Sequence, residues 1–171
     1  YKHGGLDLIS TGRAVVINLR EGELAEGGST ITQQLAKNMY FTQEKKFLRK
    51  VAELFVAFDL ERDYTKDEIL ELYLNTIYFG SGYYCVYDAA EGYFGKEPSQ
   101  MTDYESTLLA GIPNAPSVCS LTNSPELAAQ RQKTVLECMV QQDYITQEQA
   151  DEILAEGKIL PDGEIQQAGE E

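Results

Sequence analysis

The sequence predicts a mostly α-helical domain. Three observations lead there: apolar residues recur at helical spacing, capping boxes punctuate the chain, and no stretch alternates with the period of a strand. The chain has 171 residues, 43% of them apolar, which suits one compact domain, alone or with a smaller lobe.

Taken in order, Ser29 stands where it can cap a helix running to about Asn38, with Ile31 and Leu35 on one face. In "EKKFLRKVAELFVAFDLERDY", Phe47, Val51, Leu54, Phe55 and Phe58 form a wide apolar stripe. Thr65 and Glu68 make a capping box opening a helix through Ile69, Leu70, Tyr73, Leu74 and Ile77. A glycine-broken aromatic stretch, "YFGSGYYCVYDAAEGYFG", follows; its second half reads as a helix ending at Gly95. Thr102 and Glu105 open the next helix, and "PNAP" (Pro113 to Pro116) reads as a turn because of its prolines. Ser124 and Pro125 start a long helix to about Gln142. Thr146 and Gln149 cap a short one, with Ile145 as a staple. Residues 157–171 read as a tail or linker.

The formal net charge is −14, which argues against nucleic acid or anionic lipid as a partner of the whole molecule. From Leu121 onward 11 acidic side chains stand against 3 basic ones. Between Lys37 and Lys50 the balance reverses: Lys37, Lys45, Lys46, Arg49 and Lys50 face only Glu44. A basic island in an acidic protein points to a local anion site. Cys85, Cys119 and Cys138 fit no zinc spacing and read as small buried apolar residues. The longest purely apolar run, "LFVAF", falls far short of the ~20 residues that span a bilayer.

The chemistry concentrates in two consecutive helices. Lys46, Arg49, Lys50 and Glu53 share one face by spacing, opposite the phenylalanines. The plain alternative is a solvated face with an Arg49–Glu53 pair. In "GGSTITQQLAKN", Gln33 with Lys37 and Gln34 with Asn38 are four apart. A helix start preceded by glycines offers N–H groups and a positive dipole end to an anion. The plain alternative there is a capped helix with a polar face. The two together favour a phosphate cradle, but not a nucleotide P-loop, whose GxxxxGK[ST] spacing is absent.

The segments "GGSTITQQLAKN", "RKVAELFVAFDLE", "TKDEILELYLNTIYFG", "AAEGYFGK" and "LLAGIPNAPS" occur in series. In this the chain resembles the peptidoglycan glycosyltransferase domain, glycosyltransferase family 51, found as a monofunctional enzyme or in class A penicillin-binding proteins. The resemblance covers about residues 1–155. It implies a lysozyme-like α-rich fold, with the glycosyltransferase domain over 1–156 and a mobile, membrane-dipping jaw at about 8–27. It also implies the reaction. The 4-hydroxyl of lipid II attacks the anomeric carbon of a glycan held on a polyprenyl diphosphate. Configuration inverts and the lipid diphosphate leaves.

Such a leaving group asks for cations more than for a strong acid. The resemblance carries the catalytic role on this chain to Glu53, on the leaving-diphosphate side, where it would hold a metal or orient basic residues. Substrate binding falls to Ser29, Gln34, Lys37, Asn38, Lys45, Arg49 and Lys50, with Asn114 and Arg131 as weaker matches. His3 reads as structural. The family's proton-accepting base lies in a Glu-Asp-x-x-Phe motif that would precede Tyr1, so residues 1–171 alone are expected to bind substrate without turning it over. No cofactor is required; a divalent cation, Mg2+ or Mn2+, is an option beside Glu53. Implied partners are lipid II, the growing lipid-linked glycan, the membrane surface and a fused or separate transpeptidase domain. The implied location is the outer face of the bacterial cytoplasmic membrane. A glycan-cleaving lysozyme-like enzyme and a non-catalytic lipid-diphosphate-binding module are the competing expectations.

Overall fold

Helices carry the architecture in the computed structural model, which describes residues 29–40, 47–159 and 165–167, the side chains of 40, 47–51, 158, 159 and 167 excepted. The chain divides into two compact units, Tyr1–Thr76 and Ile77–Glu171. The predicted jaw at 8–27, His3 and Lys45 lie outside the described residues.

In the first unit, α1 (Ile31–Tyr40), α2 (Phe47–Asp63) and α3 (Lys66–Leu74) pack on one another. The cap of α1 is Thr30, one residue later than predicted. Its Oγ1 accepts from the Gln33 amide at 3.2 Å, and its carbonyl accepts the first helical bond from Gln34 at 2.9 Å. Thr65 and Glu68 form the predicted reciprocal box at the start of α3. That helix stops at Leu74, short of the predicted Ile77, with Asn75 as its C-cap.

The orientation of α2 departs from expectation. Phe55 and Phe58 are 68% and 51% exposed, whereas Glu53, Ala57 and Leu60 are buried at i, i+4 and i+7. The reason lies in the neighbour. The buried face of α1 carries Thr32 and Gln33 beside Leu35 and Ala36, so it offers a partly polar surface to α2. Ile31, assigned by spacing to the core face of α1, is 44% exposed.

The second unit holds α4 (Val86–Phe94), α5 (Asp103–Gly111), the four-residue α6 (Pro116–Cys119), α7 (Pro125–Gln141) and α8 (Gln147–Ala155), with 3₁₀ turns at Pro98–Gln100 and Ile112–Asn114. Its core gathers Phe79, Leu108, Ile112, Leu121 and Leu136. The "PNAP" segment is a 3₁₀ turn running into a helix whose first residue is Pro116, where a missing N–H costs nothing. Ahead of α4, Gly80, Ser81 and Gly82 all have positive φ. This turn is tied by a 2.5 Å Ser81–Thr122 hydroxyl contact and by Tyr93, whose OH donates to the Phe79 carbonyl at 2.9 Å.

The α5–α7 seam is close and polar at its centre. A Cβ on Gly111 would sit 3.1 Å from the Cβ of Arg131. Gln132, 1% exposed, donates from Nε2 to the Tyr104 carbonyl at 2.9 Å and to Thr107 Oγ1 at 3.1 Å. In the Thr102–Glu105 box the glutamate is buried, and Lys96 Nζ donates to it at 2.8 Å. Replacing Gln132 with Leu removes a donor from two buried acceptors, so unfolding free energy should fall by about 1–3 kcal/mol in a denaturant titration. An unchanged midpoint would show that the seam does not depend on that amide.

Two sequence expectations fail at the ends of this unit. Residues beyond Gly157 are not simply a tail: β1 (Gly157–Ile159) pairs antiparallel with β2 (Ile165–Gln167). Gly157 lies against the Tyr104 ring, where a Cβ would come within 3.0 Å, so the hairpin starts from a residue fixed by packing. Of the three free cysteines only Cys119 is buried; Cys85 caps α4 through its sulfur, and Cys138 is exposed. No helix among the described residues is long and apolar enough to cross a membrane.

Candidate active site

Helix α1 distributes its polar side chains in a graded way. Thr32 and Gln33 are buried; Gln34 and Lys37 are half-buried; Asn38 is exposed. With 3.6 residues per turn, Gln34, Lys37 and Asn38 fall on adjacent strips of one side, away from Leu35 and Ala36. Three of the predicted substrate-binding residues therefore share a surface. Ser29 sits just before the helix, and its carbonyl accepts from Gln34 Nε2 at 3.4 Å. Lys37 makes no hydrogen bond or ion pair among the described residues, which leaves a half-buried ammonium at the edge of the helix.

Glu53 is not on that open surface. It is 1% exposed, on the inner side of α2. The expected stripe of cations with Glu53 standing among them is corrected to this extent: the glutamate belongs to the interior. By helix register Arg49 and Lys50 occupy the preceding turn of the same face, but their side chains lie outside the described residues, as does Lys45. Glu53, Thr32 and Gln33 are the buried polar side chains among the described residues of the first unit.

Polar bonds that spacing did not single out hold α1 in place. Thr32 Oγ1 donates to Glu61 Oε1 at 2.5 Å, and Lys66 Nζ donates to Glu61 Oε2 at 2.5 Å, so one carboxylate joins all three helices. Tyr73 OH donates to Gln34 Oε1 at 3.2 Å. Burial pushes the Tyr73 phenol up, so it stays a neutral donor. At the start of α3 the Thr65 N–H and hydroxyl hold the Glu68 carboxyl below its usual range. The sequence signal for these contacts was present in "TKDE" and in Tyr73, but it gave only local capping and core placement.

The remaining predicted residues lie in the second unit. Asn114 is exposed at the end of the Ile112–Asn114 turn. Arg131 is half-buried on α7, and its Nε is a buried donor with no partner among the described residues. Among the described residues no three His, Cys, Asp or Glu side chains converge to hold a metal ion.

Residues 1–140 match the transglycosylase family, and the chain belongs to it. It is 47% identical over 160 residues to penicillin-binding protein 1F of Bacillus subtilis, covering 94% of this chain and 22% of that protein. It is 44% identical over 156 residues to a putative transglycosylase of Cupriavidus necator, covering 91% of this chain and 67% of the relative. The crystal structure of penicillin-binding protein 1A from Haemophilus influenzae superposes with a TM-score of 0.50 at 30% identity, over 74% of this chain and 16% of that one. The chain thus spans about a fifth of the penicillin-binding relatives. It is a transglycosylase-family domain, mostly α as its sequence predicts.

Proposed function

We propose that this domain polymerises lipid II into glycan strands at the outer face of the cytoplasmic membrane, as part of a protein that also carries a transpeptidase. The observation that carries the reading is the side of α1 on which Gln34, Lys37 and Asn38 lie together, with an uncommitted Lys37 ammonium among them. These groups suit the diphosphate and sugar oxygens of a lipid-linked donor. Arg49, Lys50 and Lys45 are assigned to the same diphosphate, and Ser29 to the turn that leads into the helix. Asn114 and Arg131 are assigned to the glycan.

In the reaction the 4-hydroxyl oxygen of the acceptor forms a bond to the donor's anomeric carbon. The bond from that carbon to the diphosphate oxygen breaks, and its electron pair leaves with the diphosphate. The hydroxyl proton passes to a carboxylate base. Cations near the leaving oxygens stabilise charge as it develops, and this term is commonly the largest in such a site. Glu53, buried on the face that register shares with Arg49 and Lys50, acts by orienting those cations and not by touching the sugar.

The test is to incubate the full-length protein with lipid II and resolve the products by electrophoresis. A ladder of lengthening glycan is expected. Shortened products from lipid-free glycan strands would instead establish the cleaving activity, and lipid II binding without a ladder would establish the binding module. Lys37→Ala should raise KM for the donor roughly ten- to hundredfold, the range for losing a charge-assisted contact. An unchanged KM would take Lys37 out of the diphosphate site.

A further inference from the structure

We propose that Tyr73 is a positioning residue for donor binding: it fixes which end of the Gln34 amide faces the substrate. The inference rests on the reading that α1 binds the lipid-linked diphosphate. A glutamine amide has an accepting carbonyl and a donating NH2, and it can turn to present either. Substrate oxygens, whether of phosphate or sugar, call for the donating end at this position. The Tyr73 hydroxyl donates to Gln34 Oε1 at 3.2 Å, which occupies the carbonyl. The Ser29 carbonyl accepts from Nε2 at 3.4 Å, which uses one of the two amide hydrogens. One N–H of Gln34 is left to point elsewhere, on the side of α1 that also carries Lys37 and Asn38.

Tyr73 is well placed for this. It is 8% exposed and belongs to α3, which packs on α1, so its ring position follows from the core. Burial raises its pKa, so the hydroxyl keeps its proton and its role as donor throughout the neutral range. The same chain of bonds, from Tyr73 through Gln34 to the Ser29 carbonyl, also fixes the residue just ahead of the helix start. A tyrosine that served packing alone would work equally well as phenylalanine.

Tyr73→Phe keeps the ring and removes the hydroxyl. In the full-length protein it should raise KM for lipid II, and the Kd for lipid II measured by calorimetry, by roughly three- to tenfold, with kcat changed less than about twofold. Because the effect runs through one amide, Gln34→Ala should weaken binding by at least as much, and the double variant should be no worse than Gln34→Ala alone. Gln34→Glu, which keeps an acceptor for Tyr73 but offers no donor, should resemble Gln34→Ala. Wild-type KM and Kd in Tyr73→Phe would overturn the inference while leaving the activity intact. Additive losses in the double variant would also overturn it, since Tyr73 would then act by another route. If wild-type protein neither binds nor polymerises lipid II, the functional reading falls first and this inference with it.

Discussion

Replacing Glu53 with glutamine in the full-length protein is expected to lower kcat for lipid II polymerisation by at least about a hundredfold, with the fold retained. Gln has nearly the same shape, so packing on the inner side of α2 survives; what disappears is the negative charge. Glu53 is 1% exposed, and the other buried polar side chains among the described residues of its unit are Thr32 and Gln33. A purely structural acid at such a position is a poor choice, because well-packed apolar residues commonly equal or exceed the stability of buried charges. A charge that orients cations one helical turn away needs only register, which α2 provides for residues 49, 50 and 53. The measurement is single-turnover polymerisation alongside thermal unfolding. Wild-type turnover in Glu53→Gln would remove Glu53 from the mechanism, and loss of activity through a collapsed melting transition would make it a folding residue.

The second large effect is expected at Glu61. Its carboxylate accepts from Thr32 on α1 and from Lys66 at the start of α3, while the residue itself belongs to α2. The side chain of Glu61 is 10% exposed in this pair and that of Lys66 is 27% exposed, so solvent screens the pair only partly. Glu61→Ala should therefore cost roughly 2–3 kcal/mol, below the range for a fully buried pair, and lower the melting temperature by about 5–10 °C. Activity should fall with it, because α1 carries the donor-binding side chains and loses its tether. Glu61→Gln keeps an acceptor for Thr32 and should recover part of the loss. A melting temperature within a degree of wild type in Glu61→Ala would mean that the three helices are held by apolar packing alone.

Much of the fold was legible because its signals are local. The boxes at Thr65–Glu68, Thr102–Glu105 and Thr146–Gln149 each form as the sequence predicts, since their donors and acceptors lie within one turn. The side of α1 with Gln34, Lys37 and Asn38 was legible for the same reason. What the sequence concealed depends on neighbours distant in the chain. Spacing alone gave α2 an apolar face through Phe55 and Phe58, but the residues of α1 that meet it include Thr32 and Gln33, and the buried stripe became Glu53, Ala57 and Leu60. The hairpin of Gly157–Ile159 and Ile165–Gln167 is too short to leave a period in the sequence, and Gly157 is set by its packing on Tyr104, 53 positions earlier. Glu61 and Tyr73 escaped notice because their partners, Thr32 and Gln34, lie 29 and 39 positions away.

The central claim is that α1 of the first unit grips a lipid-linked diphosphate. Equilibrium titration tests it most directly, with a polyprenyl-diphosphate disaccharide and the same disaccharide lacking diphosphate, each against wild type and Lys37→Ala. The account predicts tight, salt-sensitive binding of the diphosphate form, loss of most of that affinity in Lys37→Ala, and little binding of the bare sugar by either protein. Equal affinity for the two ligands, or binding of the diphosphate form indifferent to Lys37, would contradict it.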